Sequence, residues 1–347
     1  GASVLGIEQF ELAHSRGSSH GQTRLIRKAY FEHSDYVPLL SRAYELWHEL
    51  NQKTGRRLYH ETGLLYFCQK GGELEAGILG SAKSHGIRLE ERSGDSRFKP
   101  PPDTSCLFEP EAGYLEVENC VRAHLDEAEK IGATILANEA VHDWTAREGG
   151  VTVTTASGTY SARKLVIAAG AWSGGILSEL KLPFQLLRKT LYWLPANETY
   201  LEAQGAPCFF YELPDRVIYG FPRLTAGDGL KVAEHSGGKR IADPAELSAP
   251  ADERDDSPTH VTEFARAYLS GVSPEVLRSQ ACMYTMTPDL HFIIDLHPRH
   301  PNVAFAAGFS GHGFKFSSAV GEILSELALT GNTRHPIDFL RLRNFSS

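Results

Sequence analysis

The stretch at residues 278–315, RSQACMYTMTPDLHFIIDLHPRHPNVAFAAGFSGHGFK, constrains the fold of this chain most. Its apolar runs at 292–295 and 303–307 predict two buried strands. The second runs into GFSGHGFK (308–315), and a helix is expected over 317–329. Glycines 308, 311 and 313 leave the backbone bare where strand gives way to helix, which suits close approach by a flat or anionic ligand. The same grammar also serves plain packing. Lys315 stands just ahead of that helix. Cys282 lies in an apolar-polar run, ACMYT, which sets it apart from the other cysteines.

At 347 residues the chain is long for one core, so two lobes are expected. A hydrophobic content of 41% and a charged content of 22% fit an ordinary globular protein. The net charge of −8 argues against a general nucleic-acid or anionic-membrane binder. No run of 18 apolar residues predicts a membrane span, and no signal peptide is visible. The five cysteines are scattered and odd in number. They make neither a CxxC pair nor a disulfide framework, which fits a reducing cytoplasm. Metal spacings such as HExxH are absent, and no metal is expected. Ser310 in GFSGHG does not fit a GxSxG elbow.

Residues 1–8, GASVLGIE, predict a strand ending in an acid. Dinucleotide-binding folds run strand, glycine-rich turn, helix, second strand, and the second strand ends in an acid that hydrogen-bonds a ribose. Glu8 fits that acid, and Gly1 fits the glycine after the intervening helix. The chain is then expected to begin about 25 residues into such a domain, with the GxGxxG turn upstream. An edge strand with a solvated glutamate is the alternative. The run HSRGSSHGQTRLIR (14–27) is a polar loop interrupted by apolar Leu25 and Ile26. Arg24 and Arg27, three apart, are expected to share a face of a helical turn, where two guanidinia suit a carboxylate or a flavin oxygen.

Helices are expected over 36–50, 71–86, 117–131 and 260–268, and strands over 59–67, 133–136, 141–145, 151–154 and 164–169. The last strand meets Gly170-Ala-Trp172, a plausible ligand rim at a sheet's carboxyl edge, before a helix to residue 180. Residues 183–235 predict an antiparallel sheet. Lys231 in that sheet is either a snorkelling edge residue or a cation aimed at a pocket. Residues 239–260 are expected to be a surface excursion.

RGSSHGQTRLIR, GLK (229–231), ACMYT (281–285), HFIID (291–295) and GFSGHGFKF (308–316) occur in this order, and together they resemble the monomeric sarcosine oxidase family, over the whole chain. The resemblance implies an α/β fold with an α+β second lobe: a glutathione-reductase-like FAD-binding domain and a β-sheet-rich catalytic domain, in a D-amino-acid-oxidase-like arrangement. The FAD domain is expected at 1–60, 115–182 and 275–347, lacking its first βα unit. The catalytic domain is expected at 61–114 and 183–274. FAD would be joined through its 8α-methyl to the sulfur of Cys282, a reasonable role for a thiolate nucleophile.

By the same resemblance Glu8 binds ribose. His20 and Arg24 lie near the flavin ring, with Ser18, Val141, Gly170, Trp172, Gly308, Gly311, Gly313, Phe314 and Lys315 completing the cofactor site. Arg27 and Lys315 hold a substrate carboxylate, and Lys231 activates oxygen on the other flavin face. His235, Tyr284 and Tyr219 line the substrate pocket. The activity implied is oxidation of a secondary amino acid to an imine, with O2 reduced to H2O2, by a monomer. A flavin dehydrogenase using another electron acceptor, and a fragment unable to hold FAD, are the alternatives.

Overall fold

The computed structural model describes residues 1–248 and 257–345. Two sets of strands organise it. In the first, Leu5–Ile7 runs parallel to Thr134–Leu136. Leu165–Ile167 runs parallel to His300–Ala307, which also pairs antiparallel with Ile293–His297. Ile294, Ala304 and Ala306 from these strands, with Phe292 just ahead of them, meet Val320, Ile323, Leu324 and Leu327 of the helix Ser317–Thr330. The helix Tyr36–Thr54 packs against that last helix. Its Tyr36, Leu40, Ala43, Trp47 and Leu50 recur at three- and four-residue steps and bury one stripe. Fully burying one such large apolar side chain stabilises by about 1.5–3 kcal/mol.

The second set is a nine-stranded sheet. Its spine is Gln185–Leu194, paired along nearly its whole length with Arg278–Met286. The other edge of the spine takes Leu230–Glu234 and Lys239–Ile241 in succession. Beyond these lie Arg216–Gly220, Cys208–Leu213, Leu64–Gln69, Thr104–Glu109 and Glu90–Glu91. The strand bearing Cys282 is thus hydrogen-bonded into this sheet although it follows residue 274.

Alternation gives the sheet two faces. Leu65, Phe67, Phe209, Tyr211, Ile218, Leu230 and Val232 point to one, against Val261, Phe264 and Ala265 of the helix Thr259–Tyr268. Tyr66, Phe210, Tyr219, Ala233, Leu191, Trp193 and Cys282 point to the other. Lys231 is the register partner of Trp193, so it joins this second face. The candidate site lies there.

Three local expectations differ from what is observed. Arg24 and Arg27 are not on a helical turn: Thr23–Ile26 is a strand, paired with Gly113–Glu116. Positions three apart on extended chain point to opposite faces. The helix expected to reach residue 180 breaks into Gly170–Trp172, Ser173–Ile176 and Ser178–Leu180. Adjacent Gly174 and Gly175 weaken an α-helix there by about 1 kcal/mol each. The excursion at 239–260 contains the strand Lys239–Ile241 and the turn Pro244–Ser248, while 249–256 lie outside the described residues. Among the described residues no helix is long and apolar enough to cross a membrane, and no cluster of three or more His, Cys, Asp or Glu side chains is placed to hold a metal.

Candidate active site

Cys282 is 1% exposed. The Arg24 Nη2 donates to its Sγ at 3.2 Å and to the Ser18 carbonyl at 2.8 Å. The Ser18 hydroxyl donates to the Met283 carbonyl at 2.6 Å and so fastens the 14–22 loop over the cysteine strand. Burial alone would push the Cys282 thiol up, but Arg24, followed by His20, overcomes it and holds the thiol at about 6. His20 acts on the sulfur by proximity. Its two ring nitrogens are both buried and meet no partner at hydrogen-bond geometry.

Arg27 and Lys315 come together around Tyr30. The Arg27 guanidinium lies 4.3 Å from the centres of the Tyr30 and Phe31 rings. Its Nη2 donates to both Glu32 carboxylate oxygens, at 2.7 and 2.8 Å. Burial opposes the charge of each partner, yet Arg27 brings the Glu32 carboxyl down to about 2, and Glu32 in turn raises Arg27. Lys315 Nζ donates to the His312 carbonyl at 2.7 Å and lies 3.4 Å from the Tyr30 hydroxyl. Burial, then Arg27, pushes Lys315 down to about 7. Burial likewise brings His312 down to about 3, so it is neutral near pH 7 and shares a 2.5 Å hydrogen bond through Nδ1 with Tyr30.

Lys231 is 2% exposed. Its Nζ donates to the carbonyls of Gly21 and Thr23 at 2.6 and 2.7 Å, and to the Thr23 hydroxyl at 3.2 Å. Burial, followed by Arg24, pushes the amine well below its ordinary range. Glu118 grips the same turn from behind, accepting from the Gly21 and Gln22 amides at 2.7 and 3.1 Å. His235 Nδ1 and the Tyr284 hydroxyl are 3.3 Å apart, and Tyr219 packs within 6.3 Å of the His235 ring. Burial pushes His235 down to about 4. Gly311 has φ 80°, and a Cβ there would stand 2.5 Å from the Tyr284 ring, so only glycine lets the 308–315 loop lie on that tyrosine.

At the far rim, Glu8 ends the first strand, accepting from the Phe10 amide at 2.9 Å and lying 3.5 Å from His14 Nε2. Phe10 packs edge-on against Trp172 at 5.4 Å, which joins the Glu8 turn to the Gly170–Trp172 rim. Val141 opens the neighbouring strand Val141–Arg147. Gly308 packs on Thr287 and Gly313 on Phe309, whereas Phe314 turns away and stacks on Trp47 at 6.2 Å. The sequence reading did not single out Tyr30, Glu32, Glu118 or Lys189. Lys189 is the register partner of Cys282 on the site face.

These residues fit a flavin. A thiol held at about 6 by a guanidinium is a competent nucleophile. The two orphaned nitrogens of His20 call for a polar group, since each unmet buried donor or acceptor costs about 1–3 kcal/mol. The glycines expected to leave the 308–315 backbone bare serve packing instead: a Cβ at Gly308, Gly311 or Gly313 would stand 2.5 Å from Thr287, Tyr284 or Phe309.

A profile of FAD-dependent oxidoreductases, the DAO family, matches residues 1–327. Monomeric sarcosine oxidase of Bacillus sp. (strain B-0618) is 40% identical over 352 residues, covering 99% of this chain and 90% of that protein. The chain belongs to the monomeric sarcosine oxidase family of FAD-dependent oxidoreductases. N-methyl-L-tryptophan oxidase of Yersinia pestis (strain Pestoides F), 36% identical over 335 residues, covers 94% of this chain and 89% of its own. Among solved structures, the open form of NikD, an unusual amino acid oxidase essential for nikkomycin biosynthesis, superposes with a TM-score of 0.84 at 25% identity, over 100% of this chain and 93% of that one. Glycine oxidase from Geobacillus kaustophilus shares the fold, at a TM-score of 0.78 and 16% identity, over 99% and 93%. The mixed α/β architecture in the D-amino-acid-oxidase-like arrangement is therefore that of the family, and the expectation of an FAD-dependent amine oxidase is met at family level.

Proposed function

We propose that the chain oxidises a secondary amino acid, N-methyl or cyclic, to an imine, with O2 reduced to hydrogen peroxide. With sarcosine, hydrolysis of the imine would yield glycine and formaldehyde. The observation that carries this reading is the buried pair of basic side chains Arg27 and Lys315 at Tyr30, together with a sheet face that bears both Cys282 and a third buried basic side chain, Lys231. FAD, when bound, supplies the two-electron acceptor for the substrate and the donor for O2. Cys282 would hold it through the 8α-methyl, with Arg24, His20 and Ser18 beside the ring and Glu8 at the ribose. The relatives' names support the substrate class, since sarcosine and N-methyl-L-tryptophan are both N-methyl amino acids.

The chain's own residues perform four tasks. Arg27 and Lys315 bind the substrate carboxylate, which fixes the reacting carbon in the site. That carboxylate adds an anion to the one Glu32 already provides beside Arg27, and its arrival raises the affinity of Lys315 for its proton. The surrounding cations disfavour the substrate's ammonium form, so the amine reacts unprotonated. His235 and Tyr284, neutral and hydrogen-bonded to one another, line the pocket with Tyr219. Lys231 faces the charge that develops on reduced oxygen. Five free cysteines suit a reducing cytoplasm, and the relatives' name supports a monomer.

The test is a panel of N-alkyl and cyclic amino acids assayed for peroxide, with mass analysis of the peptide carrying Cys282. Peroxide with an N-methyl or cyclic amino acid, together with a flavin adduct on that peptide, is the expected result. Dye reduction without peroxide would assign a dehydrogenase instead. No turnover of any member by flavin-loaded protein would overturn the reading.

A further inference from the structure

Lys189 takes no part in the chemistry above, yet it is built into the same face. It lies across from Cys282 in the strand register, is 6% exposed, and its Nζ is 5.5 Å from the centre of the Tyr284 ring. A buried ammonium is ordinarily matched with a carboxylate. This one instead donates to the carbonyls of three consecutive residues: His235 at 3.2 Å, Ser236, and Gly237 at 3.0 Å. Glu234, the acid that most favours its charge, turns its own oxygens to the Ser236 hydroxyl and to His260.

The turn is shaped to receive the lysine. Gly237 and Gly238 have φ of 61° and 115°, and a Cβ at Gly238 would stand 2.8 Å from Lys189 Cδ and 3.0 Å from the Arg188 carbonyl. The first residue of the turn is His235, whose Nδ1 meets the Tyr284 hydroxyl. One amine therefore grips the backbone that carries one pocket residue while lying beside the ring of the other.

We propose that Lys189 is a positioning residue: by drawing the 235–237 carbonyls together it sets the His235 ring against the Tyr284 hydroxyl and fixes the shape of the substrate pocket. This rests on the reading of His235 and Tyr284 as pocket residues. The charged and titratable groups around His235 are Lys189, Glu32, Arg27, Lys315 and His312, with Tyr219 and Tyr284 packed on the ring. Lys189 is one of the cations that keep this imidazole neutral, so removing its charge raises the affinity of His235 for a proton.

The test uses flavin-loaded Lys189→Met, Lys189→Arg and His235→Asn, with imidazole-nitrogen resonances followed through pH. Lys189→Met is expected to shift the His235 titration upward and to raise KM for the amino acid by about ten- to a hundredfold, the scale of a displaced positioning group. Flavin content and kcat change far less, and Lys189→Arg restores most of both readouts. An unmoved His235 titration with wild-type KM in Lys189→Met overturns the proposal. A normal KM in His235→Asn sinks the pocket reading separately, while the resonance still decides whether Lys189 governs the ring. Should Lys189→Met fail to fold, Lys189→Gln, which removes the charge and keeps two donors, is judged by the same outcomes.

Discussion

Replacing Arg24 by Met removes the guanidinium 3.2 Å from Cys282 and leaves the burial in place. Burial is the largest influence on this thiol and acts upward. Without the guanidinium only His20 and the Met283 amide oppose burial, so the group should titrate well above about 6, towards its ordinary 9.0. In the limit of a full return to 9.0, the thiolate fraction at about pH 7.5 falls from about 97% to about 3%, roughly thirtyfold. A single-pH alkylation rate would hide this change, because a thiolate of higher pKa is intrinsically more nucleophilic. With a Brønsted slope of about 0.45, three units return roughly twentyfold. The informative assay is the pH midpoint of alkylation of the Cys282 peptide in flavin-free protein by a small reagent. The midpoint should move up by as much as about three units in Arg24→Met and by no more than about one in Arg24→Lys, which keeps a cation. An unmoved midpoint in Arg24→Met would refute the assignment of the thiolate to Arg24.

Lys231→Met should slow flavin reoxidation by about a hundredfold, the scale of one lost charge contact of about 3 kcal/mol. Flavin reduction should be little affected; equal slowing of both half-reactions in stopped flow would dismiss the role of Lys231. Lys315, at about 7, is a cation below that pH and neutral above it. Binding of a carboxylate lacking an amine should thus weaken as pH rises through about 7, by up to tenfold per unit, and Lys315→Met should flatten that profile. Gly311→Ala combines a φ of 80° with a Cβ 2.5 Å from the Tyr284 ring. It should destabilise the protein by about 1–3 kcal/mol and raise KM. A wild-type melting temperature would contradict the packing described.

Much of the site was legible because its chemistry is carried by short runs. ACMYT and GFSGHGFK marked Cys282 and Lys315 without any knowledge of the fold. The misread elements depend on distant partners. Arg24 and Arg27 were expected on a helical turn because three-residue spacing is all that local sequence offers. The strand that holds Arg24 and stops just before Arg27 exists through pairing with Gly113–Glu116, some ninety positions on. Lys189 shows the same limit: LLRKTLYWL announces a strand, but only the register with Arg278–Met286 puts that lysine beside Cys282. Glu32 and Glu118 were invisible for a related reason, since an acid in a polar run looks solvated until its partner is placed. Phe314 reads as part of the glycine loop, yet its ring belongs to the core around Trp47.

The alternating faces of the spine strand govern which sequence changes this protein tolerates. Lys189, Leu191 and Trp193 meet Cys282, Gln280 and Lys231 across the ladder, while their immediate neighbours meet the opposite core. Deleting one residue from Gln185–Leu194 would transpose the two sets, burying chemistry in hydrocarbon and setting greasy side chains on the face that carries Cys282 and Lys231. Length variation should accordingly collect in the connections at 195–207 and 221–229. New substrate preferences would arise there by lengthening loops, or on the ladder by exchanging one side chain at a time.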